Sequence, residues 1–366
     1  MLRDLARAAR SQRKLIGKLF DLYTLAPSPA PRRAAARKTS PPSPPPPRPL
    51  PLPGRWFEAH FPLPAATGQV LPRELAYWLY VPQHLPDTAV QRGRPLVVML
   101  HGCQQTAHEF AHGTRMNALA EAKGVAVLYP QQAIGSHAQR CWRWFDRTAQ
   151  AGGGEAGALA ALIGHVCAQH GIDHRRIYAC GLSAGAGMAA VLALTHPELI
   201  AAVGLHSGPV FGVGHDALGA LHVMRYGAEA QADAAISQLL AQRALHPLRA
   251  LAGPMPPMPA LLIHGDDDPV VSQVNQQQLA RQWLQLNGLP LGPASRTTVK
   301  AAGRGGSRNA HDIQDFTVRR KLMLRIVRIA GLRHEWSGGD PALRFNARAK
   351  PDASQLMLDF FGRHRR

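Results

Sequence analysis

Short apolar runs, separated by longer amphipathic stretches, recur along most of the chain. The runs are almost continuously apolar, as expected of strands that are buried on both faces of a sheet. They predict strands at 75–81, 96–100, 125–129, 177–180, 201–205 and 260–263. The stretches between them have helical periodicity and predict helices at 114–123, 155–170, 184–195 and 274–286. This alternation predicts an α/β fold with a mostly parallel, doubly wound sheet.

The alternation is interrupted between residues 209 and 259. This segment of about 50 residues is rich in Gly, Ala, Met and Pro. An insertion at this point would lie above the carboxyl ends of the strands, where open α/β sheets bind ligands. We therefore expect a short lid or a pocket wall, with ordinary packing as the alternative.

The first 55 residues differ from the rest in composition. Residues 27–53 hold 12 of the 31 prolines, which predicts an extended linker. Residues 1–55 also hold twelve Lys and Arg against two Asp, a balance of +10 out of the formal +19. We interpret 1–55 as a basic appendage to a folded domain at 56–366. The appendage is expected to be either a solvated tail or a contact to an anionic surface or granule.

Composition excludes several classes of protein. A hydrophobic content of 46% excludes a wholly disordered chain, and no apolar run of about 18 residues is present to cross a membrane. Four cysteines without a C-x-x-C pair argue against a disulfide-built scaffold and a thiolate zinc site. Because over half of the net charge lies in the appendage, we expect no specific binding of nucleic acid.

The pentapeptide at 181–185, GLSAG, matches the G-x-S-x-G pattern of a nucleophile elbow. It directly follows the predicted strand 177–180 and precedes the helix 184–195, which is the strand–turn–helix that this motif requires. The turn would project the Ser183 hydroxyl above the sheet, with a helix N-terminus behind it to favour developing negative charge. Ser183 is therefore the predicted nucleophile.

A serine hydroxyl needs a base, and the base needs an acid that orients it; in this fold the chain order is Ser, acid, His. Directly after the strand 260–263, the run HGDDDPVV offers three candidate acids: Asp266, Asp267 and Asp268. Pro269 favours an extended conformation at Asp268, which would hold that carboxylate in one direction. Asp268 is therefore preferred over its neighbours.

The predicted base is His334. It lies in a Gly-flanked loop after the last strand-like run, 322–329, and so follows the acid in the required order. His264 begins the acid loop, and we interpret it as a structural residue at the strand end.

An oxyanion hole requires two N–H groups directed at the carbonyl oxygen of the substrate. One is expected from Ala184, the residue after the nucleophile. The other is expected from Cys103, in the loop after the strand 96–100, with Gln104 as the alternative.

Six motifs together resemble the poly(3-hydroxybutyrate) depolymerase family of esterases, relatives of feruloyl and acetylxylan esterases within the α/β-hydrolase fold. They are LHGCQQT (100–106), YPQQ (129–132), CWRWF (141–145), GLSAGAGM (181–188), HGDDDPVV (264–271) and GLRHEWSGG (331–339). The resemblance covers roughly residues 60–365 and implies Ser183 as nucleophile, Asp268 as acid and His334 as base. Arg333 and Glu335 depart from the glycine and the small residue that the family usually has there.

The resemblance implies hydrolysis of carboxylic esters through an acyl-enzyme, without a metal or an organic cofactor. The expected substrate is a polyhydroxyalkanoate-type polyester or its oligomers. The alternatives are a feruloyl- or acetylxylan-type carbohydrate esterase and, from another class, a basic surface-binding protein with secondary esterase activity. Three tryptophans are expected either to line the acyl pocket or to be ordinary core residues: Trp142, Trp144 and Trp336. The family is often secreted, whereas the sequence, without a recognisable signal peptide, favours the cytoplasm.

Overall fold

A ten-stranded sheet organises the part of the chain described by the computed structural model, which comprises residues 52–63, 74–85, 92–245 and 253–366. Its strands are β1 (Arg55–Pro62), β2 (Glu74–Val81), β3 (Arg94–Leu100), β4 (Ala126–Pro130), β5 (Ile172–Leu182), β6 (Ala202–His206), β7 (Ala260–Gly265), β8 (Arg296–Lys300), β9 (His311–Val318) and β10 (Lys321–Ile329). Two short strands, β11 (Trp336–Ser337) and β12 (Asn346–Ala347), pair separately.

The strand order is β1-β2-β4-β3-β5-β6-β7-β10-β9-β8. The six central strands, from β4 to β10 in this order, are parallel, while β1 and β2 at one edge and β9 and β8 at the other pair antiparallel. A central parallel sheet places the carboxyl ends of its strands along one edge, where the loops that carry chemistry meet.

Helices cover both faces of the sheet. They are α1 (Ala107–Thr114), α2 (Met116–Lys123), α3 (Arg147–Gln150), α4 (Gly154–His170), α5 (Ala184–Thr195), α6 (Ala217–Tyr226), α7 (Glu229–Leu245), α8 (Val274–Leu286) and α9 (Ala353–Phe361). Successive residues of β3 point to opposite faces, so that Val98 joins a core with α4, α5, α7 and α8, whereas Val97 joins one with α1, α2 and α9. Burial on both faces explains why the central strands read as unbroken apolar runs.

The predicted α/β fold and its mostly parallel sheet are confirmed. Each of the six predicted strands corresponds to an observed one, and so do three of the four predicted helices. The helix expected from residue 114 begins at Met116, because Arg115 takes a left-handed conformation (φ 54°) that separates α1 from α2. No described helix is both long enough and apolar enough to span a bilayer.

Most of the predicted appendage, residues 1–51, lies outside the described residues. The described chain begins at Leu52, and β1 begins at Arg55, the last residue that the sequence assigned to the appendage. The sheet thus includes Arg55, and the division into an appendage and a domain stays a prediction.

The insertion at 209–259 contains α6 and α7, and its residues 246–252 lie outside the described part. Buried amide side chains of α8 hold it in place. Gln282 donates to the carbonyl oxygens of Phe211 (3.0 Å) and Ala232 (2.8 Å), and Asn275 accepts from the N–H of Val210 (3.1 Å). The described part of the insertion is thus anchored to the helix layer, and its role as a lid or pocket wall stays a prediction.

The contact between α5 and the end of β3 gives a test of the fold. A Cβ at Gly185 would collide with the carbonyl oxygen of Leu100, a backbone atom that cannot move aside. We expect Gly185→Ala to lower the free energy of unfolding by about 3 kcal/mol or more. Gly164→Ala is the matched control, since nothing lies within 4 Å of its Cβ position and alanine favours the helix by about 0.5–1 kcal/mol. Urea denaturation measures both; an unchanged midpoint for Gly185→Ala would refute the contact.

Candidate active site

Ser183 occupies a strained turn between β5 and α5. Its backbone has φ 58° and ψ −122°, in the left-handed half of conformational space that side chains rarely adopt. The turn is held by the Ser183 N–H, which donates to the carbonyl oxygen of His206 on β6 (3.0 Å). A Cβ at Gly181 would collide with the carbonyl oxygen of Leu100, so the glycine on this side of the elbow is required sterically.

Asp268 lies in the loop after β7, and its carboxylate is buried. Oδ2 is 2.8 Å from Nδ1 of His334, while Oδ1 accepts the N–H groups of Val270 and Val271 at 2.9 Å each. Burial alone would raise the pKa of Asp268, but the His334 ring, the His264 ring and the Val271 N–H outweigh it and hold the pKa well below its usual range. The carboxylate is therefore ionised and fixed in direction.

His334 lines the same shallow pocket as Ser183 and is 8% exposed. With Nδ1 at the Asp268 carboxylate, Nε2 is the ring nitrogen that can accept a proton from a hydroxyl in this pocket. The structure thus brings together the predicted base and acid by a direct hydrogen bond, and the base and nucleophile in one pocket.

Asp266 is directed elsewhere. Its Oδ1 accepts the N–H of Gly331 at 2.6 Å, and its own N–H donates to the carbonyl oxygen of Ile329 at 3.1 Å. These bonds tie the loop after β7 to the loop after β10. Asp267, the third carboxylate of the run, is exposed.

The loop after β3 contributes Gly102, Cys103 and Gln105 to the pocket. The N–H of Gln104, the alternative oxyanion donor, is already bonded to the carbonyl oxygen of Gln139 at 2.7 Å. That bond leaves Cys103 as the better candidate in this loop. Ala184 begins α5, so its N–H is one of the first-turn amides that have no acceptor within the helix.

A disulfide joins Cys103 to Cys141, a feature that the sequence reasoning left open. Cys103 follows β3 and Cys141 lies in the loop after β4, and these two strands are neighbours in the sheet. A cysteine in each of two loops at the same edge of adjacent strands is a signal that could have predicted the pairing. The bond ties the candidate oxyanion loop to the next loop along the edge.

The structure places the three predicted pocket tryptophans in the core, each at most 3% exposed. The pocket at Ser183 is instead lined by Gly102, Cys103, Gln105, Leu182, Ser183, His334 and Phe345. Trp336 stacks on His206, and its Nε1 donates to Ser354 Oγ at 3.1 Å. The aromatic residue in the pocket lining with Ser183 is Phe345, which no sequence motif pointed to.

Two fully buried histidines, His264 and His206, lie near Asp268. His264 has Nε2 2.7 Å from the carbonyl oxygen of Val271 and 3.5 Å from Asp268 Oδ2, so it closes the acid loop from the strand end. His206 accepts the N–H of Ser337 on Nε2 at 3.3 Å. Burial lowers the pKa of both rings, that of His206 to about 3. Both are therefore neutral at pH 7 and act as oriented hydrogen-bonding groups.

His101, which follows β3, is a third buried ring. Its Nε2 accepts the N–H of Gln132 at 3.1 Å, and burial lowers its pKa to about 4. An unfolded chain would protonate this ring near pH 6.5, so below that pH the unfolded state binds more protons and stability falls. This loss concerns the free energy of folding, so we expect it whether or not His101 contacts a substrate.

We expect acidification from pH 7 to 5 to cost about 2 kcal/mol of folding free energy through His101. His101→Gln should remove that part of the loss, whereas His215→Gln, on the surface, should leave the loss unchanged. Urea denaturation of the three proteins at both pH values measures the difference. Equal losses in wild type and His101→Gln would contradict the expectation.

Comparison with known proteins identifies the family of the chain. The sequence profile described as "Esterase PHB depolymerase" matches residues 75–305, more than half of the chain. This span contains Ser183 and Asp268 and ends before His334, so the position of the base rests on the geometry.

Among curated proteins, the chain is 31% identical over 230 residues to poly(3-hydroxyalkanoate) depolymerase C of Paucimonas lemoignei, covering 62% of this chain and 52% of that protein. It therefore spans about half the length of that relative. It is 27% identical over 222 residues to feruloyl esterase B of Thermothelomyces thermophilus, covering 60% of this chain and 73% of that protein.

Among solved structures, the acetyl xylan esterase from Aspergillus awamori superposes with a TM-score of 0.62 at 19% identity, covering 79% of this chain and 94% of that one. This likeness shows the α/β-hydrolase fold. The match over residues 75–305 shows the family as well, and the chain belongs to the esterase PHB depolymerase family.

Proposed function

We propose that this protein is a serine hydrolase of carboxylic esters. The observation that carries the proposal is the buried Asp268–His334 hydrogen bond beside the strained turn of Ser183. An acid, a base and a hydroxyl in this order and on these strand ends form the constellation that activates serine. Family membership and the names of the relatives support ester hydrolysis.

In the proposed mechanism, Nε2 of His334 accepts the Ser183 proton as Oγ attacks the ester carbonyl carbon. The N–H groups of Cys103 and Ala184 stabilise the oxyanion that forms. The tetrahedral intermediate collapses, and the alcohol leaves with the proton from His334. Water, deprotonated by His334, then attacks the acyl-enzyme and releases the acid with regeneration of Ser183. Asp268 holds the ring in one tautomer and stabilises its charged form.

The nucleophile gives the first test. Ser183→Ala should lower kcat on p-nitrophenyl acetate by about 10⁶, because the covalent route is lost. Ser237→Ala, on the exposed face of α7, is the matched control and should keep full activity. Circular dichroism and urea denaturation verify that both variants fold. More than a tenth of wild-type activity in Ser183→Ala would end this proposal.

The run of three aspartates gives a second test. Asp268→Asn keeps the shape but removes the charge that orients and stabilises the His334 ring, a loss of about 10⁴ in the serine-protease case. Asp266→Asn keeps an oxygen for Gly331 N–H, and Asp267 is exposed, so each of these variants should lose less than about tenfold. The values of kcat/KM on one soluble ester decide between them. Turnover that survives Asp268→Asn but not Asp266→Asn would reassign the acid.

For the substrate, we propose a polyhydroxyalkanoate-type polyester or its oligomers. The pocket at Ser183 is small and has Leu182 and Phe345 in its lining, which supports a short aliphatic acyl unit such as 3-hydroxybutyrate over a bulkier aromatic acid. The relative named as a poly(3-hydroxyalkanoate) depolymerase supports this choice.

A feruloyl- or acetylxylan-type activity is the second candidate, supported by the relative named as a feruloyl esterase and by one named as a probable acetylxylan esterase. We expect poly(3-hydroxybutyrate) emulsion and its soluble oligomers to be hydrolysed at least tenfold faster than methyl ferulate or acetylated xylan. The assay compares equal concentrations of ester bonds, with Ser183→Ala as the blank. A reversed order of rates would select the carbohydrate esterase.

The surface-binding alternative concerns the appendage 1–55, which lies almost wholly outside the described residues. It stays a prediction, and co-sedimentation of the appendage with polyester granules at low and high salt tests it.

A further inference from the structure

A basic cavity of about 830 Å³ opens at the edge of the sheet opposite Ser183. It is lined by residues from the segment before β3, from the first half of β5 and from the turn after α9: Arg92, Asp173, Arg175, Arg176, Gly362, Arg363, His364 and Arg365. Its volume falls within the range of about 300–1,000 Å³ that is usual for small-ligand sites.

The cavity is separate from the proposed active site. Arg176 lies seven residues before Ser183 along β5, and an extended strand of that length spans about 23 Å. Ligands of open α/β sheets usually bind at the carboxyl ends of the strands, so a site at the opposite ends is not explained by ester hydrolysis.

The charge of the lining is strongly unbalanced. Among the described residues of the lining, five arginines stand against one acidic side chain, Asp173, a side-chain balance of +4. One of the five, Arg175, already donates from Nε to the Arg366 backbone oxygen at 3.0 Å. Asp173 is itself committed locally, because its Oδ1 accepts the backbone N–H of Arg175 at 3.0 Å. Like charges gathered around one cavity repel each other, and a bound anion would remove that cost.

His364 packs behind the wall of the cavity. Its side chain is 3% exposed, and neither ring nitrogen has a hydrogen-bond partner among the described residues. The ring packs against Phe360 at 4.5 Å, and the residue is anchored through its carbonyl oxygen, which accepts the Tyr178 hydroxyl at 2.7 Å. Both ring nitrogens are covered by protein atoms, so a ligand in the cavity would contact the arginines and not this ring.

We propose that this cavity binds a short phosphate chain of two or three groups, either free or carried by a nucleotide. Guanidinium groups bind phosphate oxygens through paired, charge-assisted hydrogen bonds, and the charge of a triphosphate matches the +4 of the lining. The cavity lies apart from the proposed active site, so we expect substitutions in it to leave ester hydrolysis unchanged.

The test is calorimetric titration of the full chain with sodium tripolyphosphate at about 0.15 M salt. Arg92→Gln/Arg363→Gln removes two exposed cations of the cavity, and Arg296→Gln/Arg304→Gln removes two exposed cations around β8 as a control for charge. The appendage is the same in all three proteins, so its contribution cancels. We expect the cavity variant to lose one equivalent of binding or to bind at least tenfold more weakly, while the control matches wild type.

Equal titrations of wild type and the cavity variant would overturn the proposal, and so would an equal loss in both variants. ATP and citrate identify the ligand. Binding of ATP that the cavity variant loses extends the site to nucleotides, and binding of tripolyphosphate alone restricts it to free chains. Citrate that binds as tightly as tripolyphosphate would refute the phosphate assignment. Unchanged hydrolysis of p-nitrophenyl acetate by the cavity variant verifies its independence from Ser183.

Discussion

The close approach of α5 to the end of β3 is the constraint on which the rest of the site depends. Gly185 lies against the carbonyl oxygen of Leu100, and Gly181 lies against the same atom from the strand side. One backbone carbonyl therefore sets both the position of the Ser183 turn and the start of the loop that carries Cys103. The proposed nucleophile and the candidate oxyanion donor are therefore placed by the same contact, at a point where no side chain fits.

Strand pairing places the other two members of the proposed triad in a similar way. β7 and β10 are parallel neighbours, so the loops that leave their carboxyl ends start side by side. Backbone and carboxylate bonds of Asp266 to Ile329 and Gly331 then join the two loops. Asp268 and His334, 66 residues apart in the chain, thereby come within hydrogen-bonding distance. The sheet brings the loops together, and the two buried histidines beside Asp268 complete the packing around the acid.

The sequence predicts the parts of this fold in which local pattern and tertiary burial agree. The central strands are buried on both faces, so their apolar runs are unambiguous, and the elbow has steric requirements that only glycine satisfies. The edge strands have weaker patterns. β8 (RTTVK), for example, has a charged residue at each end, two threonines and one exposed valine, because much of this edge faces solvent. The segment 209–259 contains two helices that the sequence pattern did not reveal. The buried face of α7 is short and built partly of alanines: Ala232, Ala235, Ile236 and Leu239. Such a face gives a weak periodic signal, and a bond from Gln282 of the distant α8 to the Ala232 carbonyl oxygen helps to hold the helix.

The residues of the candidate site also differ in how well the sequence predicts them. Ser183, Asp268 and His334 follow from chain order and strand ends, which the sequence records directly. Phe345 lies in the pocket lining and itself has a left-handed backbone conformation. The three predicted tryptophans are buried in the core, where Trp336 stacks on His206. Neither outcome is encoded by spacing along the chain. Side-chain direction at a pocket is a property of the assembled tertiary structure, and residue type alone could not settle it.

The disulfide between Cys103 and Cys141 means that the oxidised and reduced forms of the protein differ in the structure of the candidate active site. The bond closes a loop across 38 positions, and the loop-entropy model assigns such a cross-link about 4 kcal/mol of stability. The remaining thiols, Cys167 and Cys180, are buried, and burial raises the pKa of both, that of Cys167 to about 11, so neither is a ready partner for exchange. A reductant therefore has one target, and that target lies in the candidate oxyanion loop. Protein prepared with a thiol reductant and protein prepared without one therefore differ in covalent structure in the loop where the oxyanion would be bound.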